Sequence, residues 1–310
     1  MSQLILHHYP RSPFSEKVRT LLGFKGLRWT SVIIPAIMPK PDVIALTGGY
    51  RKTPLLQIGA DIYCDTALIA DVLERLAPTP TLYPAESAGL ARIQAQWADS
   101  TLFWTAIAYS FQPAGLQSIF GNLPPEHLKA FMADRAAFRA NAPRMRVPEA
   151  IGALRLYLEQ LEAQLADDRP WLLGKATSLA DFSVYHPLWY IRQAAGVAGI
   201  LESYPHLTAW MERVQALGHG TSEKMESGEA VALAASSTPV STEGEAFLDL
   251  HGLARGERVT VAATDYGVDP VEGALVLSRP NELAVRRVDA RAGEVVVHFP
   301  RLGFQVQKVE

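Results

Sequence analysis

A serine near the amino terminus lies where a helix could help it stabilise an anion. Ser12 stands in a turn directly before a helical pattern that begins at Phe14, and Pro13 suits the first helical turn. Unpaired backbone N–H groups and the positive end of such a helix favour an anion, including a thiolate. On these residues alone, a simple helix cap is the favoured interpretation of Ser12.

Two further stretches could bind parts of a peptide-like ligand. An X-Pro bond can be cis, so Thr53 and Pro54 could form a sharp, rigid turn before an apolar run. Asp65 and Thr66 precede an amphipathic helix, where a carboxylate can pair with an ammonium and the helix end can bind a carboxylate. An Asp-Thr pair taken by itself is an ordinary helix cap.

The elements around these residues read as one layer of sheet with helices on it. Hydrophobic periodicity and turn residues predict strands at 4–6, 29–34, 55–58 and 62–64, and helices from 14, at 42–46 and from 66 to 76. The order βαβαββα is typical of a compact α/β domain over about residues 1–78.

The remainder divides into a helical part and a strand-rich part. Residues 87–235 are predicted to be all helical, with helices at 88–108, 126–139, 148–165, 178–191, 205–217 and about 222–235. Ser178 and Asp181 resemble a capping box. After a Ser/Thr/Pro segment, residues 245–310 alternate as short strands, which predicts a separate, small β-barrel-like module. On that prediction, a chain ended near Ser236 still folds and binds its ligand.

Composition narrows the classes of function. The chain has 310 residues and a net charge of −3, which gives no general attraction to nucleic acid or to an anionic membrane. Its one cysteine, Cys64, excludes a disulfide framework and a multi-cysteine metal site. No secretory leader or membrane-spanning run is present, so a cytoplasmic location is predicted.

Three segments carry a resemblance to a known family. They are RSPFSEKVR at Arg11 to Arg19, RKTPLLQIG at Arg51 to Gly59, and CDTALIADVLE at Cys64 to Glu74. In this order and spacing the chain resembles a glutathione S-transferase through about residue 220. The resemblance implies a thioredoxin-like α/β domain at 1–78 and an all-helical domain at 87–235. It does not cover the module at 245–310.

The resemblance also implies roles for individual residues. Ser12 aligns with the serine that activates the glutathione thiol in several classes, and Tyr9 is the alternative because other classes use a tyrosine near the first strand's end. Thr53, before a cis Pro54, would hold the cysteinyl part through its backbone.

The ends of glutathione would be bound by neighbouring residues. Asp65 and Thr66 would hold the γ-glutamyl group, and Lys52 or Arg51 could meet the glycyl carboxylate. Cys64 is interpreted as a buried strand residue, since family members that use cysteine carry it at the position of Ser12.

The predicted activity is a glutathione-dependent transfer, isomerisation or reduction of a small hydrophobic electrophile, with glutathione as co-substrate and no metal. The helical domain would form the electrophile pocket. For Trp97, Phe103, Trp104 and Tyr109, core packing is favoured over a place in the pocket wall. A homodimer is implied, without nucleic-acid or membrane partners. The alternative is a non-catalytic interaction or regulatory protein of the same fold acting through its C-terminal module; the intact Asp65-Thr66 pair favours the enzyme.

Overall fold

The structure is a computed structural model that describes residues 3–139 and 144–309. Its strands form one ten-stranded sheet in the order β10-β6-β7-β8-β9-β4-β3-β1-β2-β5. The strands are β1 (Ile5–His8), β2 (Arg28–Ile33), β3 (Leu55–Ile58), β4 (Asp61–Cys64), β5 (Thr221–Met225), β6 (Arg258–Ala263), β7 (Val271–Ser278), β8 (Glu282–Asp289), β9 (Gly293–Pro300) and β10 (Phe304–Lys308).

The helices lie mainly between β4 and β5 in the chain. They are α1 (Pro13–Phe24), α2 (Pro41–Thr47), α3 (Thr66–Leu76), α4 (Ala88–Trp97), α5 (Phe103–Ser110), α6 (Pro113–Phe120), α7 (Pro125–Arg139), α8 (Val147–Leu165), α9 (Leu179–Gln193), α10 (Pro205–Ala216) and α11 (Ser227–Ser236). A π-helical segment, Ala98–Leu102, joins α4 to α5, so the long helix predicted from residue 88 is present.

The amino-terminal part is the predicted thioredoxin-like fold. β1 is buried along its length and pairs in parallel with β2 and antiparallel with β3. The apolar stripes of α1 and α3 cover one face of this sheet, where Leu6, Val18 and Leu73 share a core. The other face packs against α2 and α11. This arrangement leaves the N-terminal ends of α1 and α3 free to line a binding site.

The helical domain is organised around α9, which is buried along most of its length. Its apolar residues share a core with the leucine stripe of α8, including Leu154, Leu158 and Leu161. The predicted capping box at Ser178 is present, and the Asp181 carboxylate also accepts hydrogen bonds from the Leu172 N–H and the Trp210 indole. These bonds fix α9 against its surroundings.

The C-terminal strands are present as predicted, but they do not form a separate barrel. β9 pairs in parallel with β4, with Ile62 opposite Val297, so the module continues the thioredoxin-like sheet. Within the described residues, β10 pairs with β6 alone and the sheet stays open. Phe299 and Val259 share one core with Ile5 and Leu55. The physical reason is that β4 would otherwise present an unpaired edge.

A second correction concerns residues 222–235, which the sequence pattern predicts as one helix. The segment is instead the strand β5 followed by α11. β5 pairs in parallel with β2 at the outer edge of the sheet. Across the described part of the chain, no helix is long and apolar enough to cross a membrane.

Candidate functional site

Two adjoining cavities lie where the thioredoxin-like sheet, the helical domain and the C-terminal strands meet. The aromatic cavity, about 690 Å³, extends from Ser12 to Phe103 and Trp104 in α5. The α3 cavity, about 490 Å³, extends from Thr53 to the N-terminal end of α3. Four residues line both cavities: Phe14, Lys52, Thr53 and Tyr266. A ligand could therefore reach from one into the other.

Ser12 lies in the wall of the aromatic cavity at the start of α1. Its side-chain oxygen accepts a hydrogen bond from the Ser15 N–H (3.1 Å), which makes it the N-cap of the helix. A hydroxyl can accept and donate at once, so the Ser12 proton remains able to bond a ligand atom. The capping role and the proposed role toward a thiolate are compatible.

Tyr9 lies in the same cavity as Ser12 and remains the alternative donor. Burial raises the pKa of the Tyr9 phenol, an effect that the Arg135 charge and a hydrogen bond with Ser12 only partly offset. A neutral phenol can donate a hydrogen bond, so both residues stay candidates. Ser15, by contrast, is fully buried and lines neither cavity.

Thr53 lies at the centre of the site, and the Thr53–Pro54 peptide bond is cis. The Lys40 ammonium donates to the Thr53 hydroxyl (3.0 Å) and to the Arg51 carbonyl (3.2 Å). An ammonium has three donors, so one remains. Burial, reinforced by the Arg135 charge, lowers the pKa of Lys40 to about 7, although Asp134 opposes this. Lys40 is thus a buried cation without a carboxylate in hydrogen-bond contact among the described residues, which suits it to bind an anion.

Arg51 and Lys52 are also near Thr53, but their charges are already paired. The Arg51 guanidinium contacts Asp134 (2.9 Å) and Asp269 (3.1 Å), and the Lys52 ammonium contacts Asp265 (2.6 Å). Within the described residues, Lys52 therefore has a carboxylate partner, whereas the hydrogen bonds of Lys40 go to a hydroxyl and a carbonyl.

Asp65 and Thr66 form the far wall of the α3 cavity. The Asp65 carboxylate accepts from the Ala67 N–H (2.9 Å), and burial raises the pKa of this carboxyl despite that bond and the charges of Lys52 and Lys17. Asp65 has φ 73° and ψ 138°, a conformation that costs a non-glycine residue about 1–3 kcal/mol and recurs at ligand clamps. The geometry presents a carboxylate to the cavity.

The start of α3 adds donors beside that carboxylate. Within the described residues, the backbone N–H groups of Thr66 and Leu68 make no hydrogen bond and lie at the positive end of the helix. The Thr66 hydroxyl accepts from the buried Lys17 ammonium (3.1 Å), which also pairs with Asp99 (2.6 Å). This end can therefore bind a group that carries both an ammonium and a carboxylate.

The wall of the aromatic cavity is apolar, with cations at intervals. Phe103 and Trp104 line it, whereas Trp97 packs on Tyr157 and Tyr109 bonds the Val197 carbonyl in the helical core. The charged residues that line it are all basic: Arg11, Lys40, Arg51, Lys52, Arg135 and Arg139. The lining suits a hydrophobic molecule and, among the described residues, includes no carboxylate and no histidine.

Several residues with reactive side chains lie outside the cavities. Cys64 is buried in β4, and burial raises the pKa of its thiol well above the usual value. The His7 ring bonds Gln57 and the His8 ring bonds Ser31, and burial lowers their pKa values to about 4 and about 3. No group of three or more His, Cys, Asp or Glu among the described residues could hold a metal ion.

Two residues of the site escape prediction from the sequence. Lys40 immediately precedes α2, where the positive end of the helix disfavours a cation. A lysine at such an unfavourable position is the sequence feature that indicates a special role for Lys40. Tyr266 lies more than 200 residues from Thr53 in the chain, and no local pattern indicates that it lines both cavities.

Comparisons with known proteins agree with this architecture. Residues 6–81 match the profile "Glutathione S-transferase, N-terminal domain", and residues 104–217 match "Glutathione S-transferase, C-terminal domain". A solved GST-like protein from Pseudomonas syringae is 43% identical, with a TM-score of 0.84 over 100% of both chains.

Two more distant relatives have names that refer to different roles. FtsZ-localized protein A of Caulobacter vibrioides is 27% identical over 185 residues, which are 57% of this chain and 72% of that protein. The β-etherase LigF of Sphingobium sp. strain SYK-6 is 19% identical over 69% of this chain and 95% of its own, with a TM-score of 0.51, and shows the fold alone. On the two matched domains and the Pseudomonas syringae relative, the chain belongs to the glutathione S-transferase family.

Proposed function

We propose that the protein binds glutathione across the two cavities and presents its thiolate to a small hydrophobic electrophile in the aromatic cavity. The observation that carries this proposal is the position of Thr53. It lies in the wall shared by the cavities, with the α3 end on one side and Ser12 on the other. A tripeptide held at Thr53 could extend in both directions.

Each end of glutathione meets complementary charge in this arrangement. The γ-glutamyl ammonium would pair with Asp65, and its carboxylate would accept from Thr66 and the free N–H groups of α3. The glycyl carboxylate would take the remaining donor of Lys40. The cysteinyl part would lie along the backbone of Thr53.

Ser12 would then stabilise the ionised thiol. A free thiol has a pKa near 8.5, and each unit of lowering requires about 1.4 kcal/mol of preferential interaction with the thiolate. A hydrogen bond from Ser12 together with the N-terminal end of α1 is of the right size for one or two units. Phe103 and Trp104 would keep the electrophile in a water-poor environment beside the sulfur.

Calorimetry with glutathione, followed by titration of the bound thiolate absorbance, tests the proposal. For Ser12→Ala we expect a higher bound-thiol pKa and slower conjugation, with glutathione affinity less affected. Ser15→Ala is the matched control, since its hydroxyl is buried and outside the cavities. A change in Tyr9→Phe but not in Ser12→Ala would assign the role to Tyr9. No binding of glutathione by the wild type would refute the proposed function.

S-methylglutathione, which lacks the titrating thiol, isolates the contribution of Lys40. Because Lys40 has a pKa of about 7, an anion bound beside it should cause proton uptake between about pH 7 and 8. Calorimetry in buffers of different ionisation enthalpy measures this uptake. We expect Lys40→Met to abolish it, while Lys129→Met, an exposed substitution in α7, leaves it unchanged.

The similarity to FtsZ-localized protein A supports a second candidate function, an interaction role in an assembly that contains FtsZ. The two functions are separable in one experiment. Co-sedimentation with FtsZ filaments, measured for the wild type and for Asp65→Ala, would show whether any association depends on the ligand site.

A homodimer is proposed from the family resemblance, and one surface fits it. Leu90 and Ile93 of α4 are 61% and 68% exposed, and the neighbouring Arg92 pairs with Asp71 of α3. Sedimentation of the wild type beside Ile93→Glu tests this: a dimer that becomes a monomer supports the proposal.

A further inference from the structure

The C-terminal strands contribute directly to the ligand site through the loop between β6 and β7, residues 264–270. Asp265 of this loop lines the α3 cavity, and Tyr266 lines both cavities. The loop therefore stands at the point where the sulfur of a ligand held at Thr53 would meet a second molecule. None of the three glutathione-transferase segments of the sequence includes it.

The loop is held in this position by contacts on both sides of Tyr266. Asp265 pairs with Lys52 (2.6 Å), Asp269 pairs with Arg51 (3.1 Å), and the Gly267 N–H donates to the Phe138 carbonyl (2.8 Å). Gly267 has φ +58°, and a Cβ there would overlap the Phe138 ring. Only glycine allows this close approach without a shift of the loop.

The Tyr266 ring is oriented by three neighbours. It meets Trp104 edge-on at 5.0 Å and Phe138 edge-on at 5.2 Å, and the Lys52 ammonium lies 4.0 Å from its centre. The Tyr266 hydroxyl makes no hydrogen bond to another described residue. A fixed donor without a partner, in a largely apolar wall, favours a ligand that offers an acceptor.

The surroundings keep this hydroxyl protonated. Burial raises the pKa of Tyr266 well above its usual value, and the negative charges of Asp265 and Asp65 raise it further, whereas Arg135 opposes them. The group is therefore a neutral donor at physiological pH.

We propose that Tyr266 is a specificity-determining residue whose hydroxyl donates a hydrogen bond to an acceptor oxygen of the second substrate. This inference rests on the proposed function. It names the substrate class as electrophiles that carry a carbonyl or nitro oxygen beside an apolar body. A ligand without the oxygen leaves the donor unpaired, and discrimination against such ligands follows.

Two glutathione conjugates of similar shape, S-(4-nitrobenzyl)glutathione and S-(4-methylbenzyl)glutathione, probe the donor without any reaction. Calorimetry on the full chain should show tighter binding of the nitro compound by roughly three- to tenfold, the size expected for one neutral hydrogen bond. Tyr266→Phe should lose this preference and keep its affinity for the methyl compound. Tyr204→Phe, which removes a hydroxyl outside both cavities, should preserve the preference.

A second variant keeps the hydroxyl but displaces it. Gly267→Ala should move the loop and lose the same preference, with thermal unfolding recorded to show that the chain is folded. A preference that persists in Tyr266→Phe, or equal weakening of both conjugates, would overturn the inference. Wild type that binds both conjugates equally overturns it while leaving the proposed function intact, whereas wild type that binds neither conjugate nor glutathione refutes both.

Discussion

The thioredoxin-like sheet is joined to the helical domain and to the C-terminal strands through two buried histidine–carboxylate clusters of opposite character. At the helical junction, His186 of α9 bonds Asp99 (3.0 Å), and the same carboxylate pairs with Lys17 of α1. At the strand junction, His298 of β9 lies between Asp61 (3.0 Å) and Glu282 (2.8 Å). One histidine shares a single carboxylate with a lysine, and the other has two carboxylates to itself.

This difference shifts the pKa values of the two rings in opposite directions. Burial lowers the pKa of His186, and Asp99 only partly offsets the effect because Lys17 opposes protonation of the ring. Burial also disfavours the charged form of His298, but its hydrogen bonds to Asp61 and Glu282 outweigh that effect and raise the pKa. The comparison teaches that the neighbouring charges, and not burial alone, decide whether the pKa of a buried histidine rises or falls.

The strand junction also buries more of the shared hydrophobic core than the sequence pattern indicates. Apolar residues of β6–β10 and of the amino-terminal strands form one core, and β9 covers the edge of β4. We therefore expect a chain ended at Ser236 to be insoluble or to lack a cooperative thermal transition, because it exposes that core. Circular dichroism beside the full chain measures this. A soluble fragment with a cooperative transition would instead support an independent amino-terminal unit.

Replacing His298 at the strand junction should have the next largest effect. His298→Gln leaves Asp61 and Glu282 both buried; among the described residues, the cations within 4 Å of Glu282 are Arg75 and Arg279, at 3.5 and 3.7 Å from its Oε2. Breaking a buried pair typically costs about 3–5 kcal/mol of unfolding free energy. Urea unfolding measures the loss.

A solvent-exposed pair serves as the matched control for this variant. His206 contacts Glu162 at 2.7 Å with 44% of its side chain exposed, so His206→Gln should cost about 1 kcal/mol or less. Adding Glu282→Gln to His298→Gln should recover part of the stability. Equal effects of His298→Gln and His206→Gln would mean that the strand junction has no special energetic role.

The raised pKa of His298 predicts a specific dependence of stability on pH. Its contribution is fully present below the unfolded-state pKa of about 6.5 and is lost as the pH rises through the folded-state value. Histidines with lowered pKa values act in the opposite direction: the folded state loses stability as the pH falls from about 6.5 toward about 4 for His7 and about 3 for His8. Urea unfolding across pH 4–9 should show both slopes, and His298→Gln should flatten only the alkaline one.

Much of the fold is predictable from the sequence because its signals are local. The strand, turn and helix around Ser12, the amphipathic helix after Asp65 and the leucine stripe of α8 all follow from periodicity and turn residues. β5 fails as a prediction because its side chains are mostly exposed and show no alternation of apolar residues. Its strand conformation comes from pairing with β2, about 190 residues earlier.

In the site, too, residues within short sequence segments are predictable, whereas a residue placed by long-range strand pairing is not. Ser12, Thr53, Asp65 and Thr66 belong to short segments that resemble a known family, and the structure places them around adjoining cavities. Tyr266 reaches the site because β9 pairs with β4, a contact between segments more than 230 residues apart. No periodicity within residues 245–310 encodes that pairing.

The smallest expected effect sharpens the comparison of the two junctions. Lys17→Met removes the lysine charge that opposes protonation of the His186 ring, while Asp99 stays in contact with that ring. The pKa of His186 should therefore rise. The ring can then supply the missing positive charge, and the loss of stability should be smaller than in His298→Gln. The loss should also shrink as the pH falls, because protonated His186 compensates for the lysine.

NMR titration of His186 in the wild type and in Lys17→Met measures the pKa change directly, and urea unfolding at several pH values measures its consequence. Lys17→Met/His186→Gln is the control: without a titrating ring, the extra pH dependence should disappear and the cost should increase, because Asp99 then loses both partners that could be positive. If the pKa of His186 is the same with and without Lys17, the lysine does not contribute to the lowered pKa of this ring. Neighbouring charges would then not explain why the pKa of His186 is lowered and that of His298 is raised.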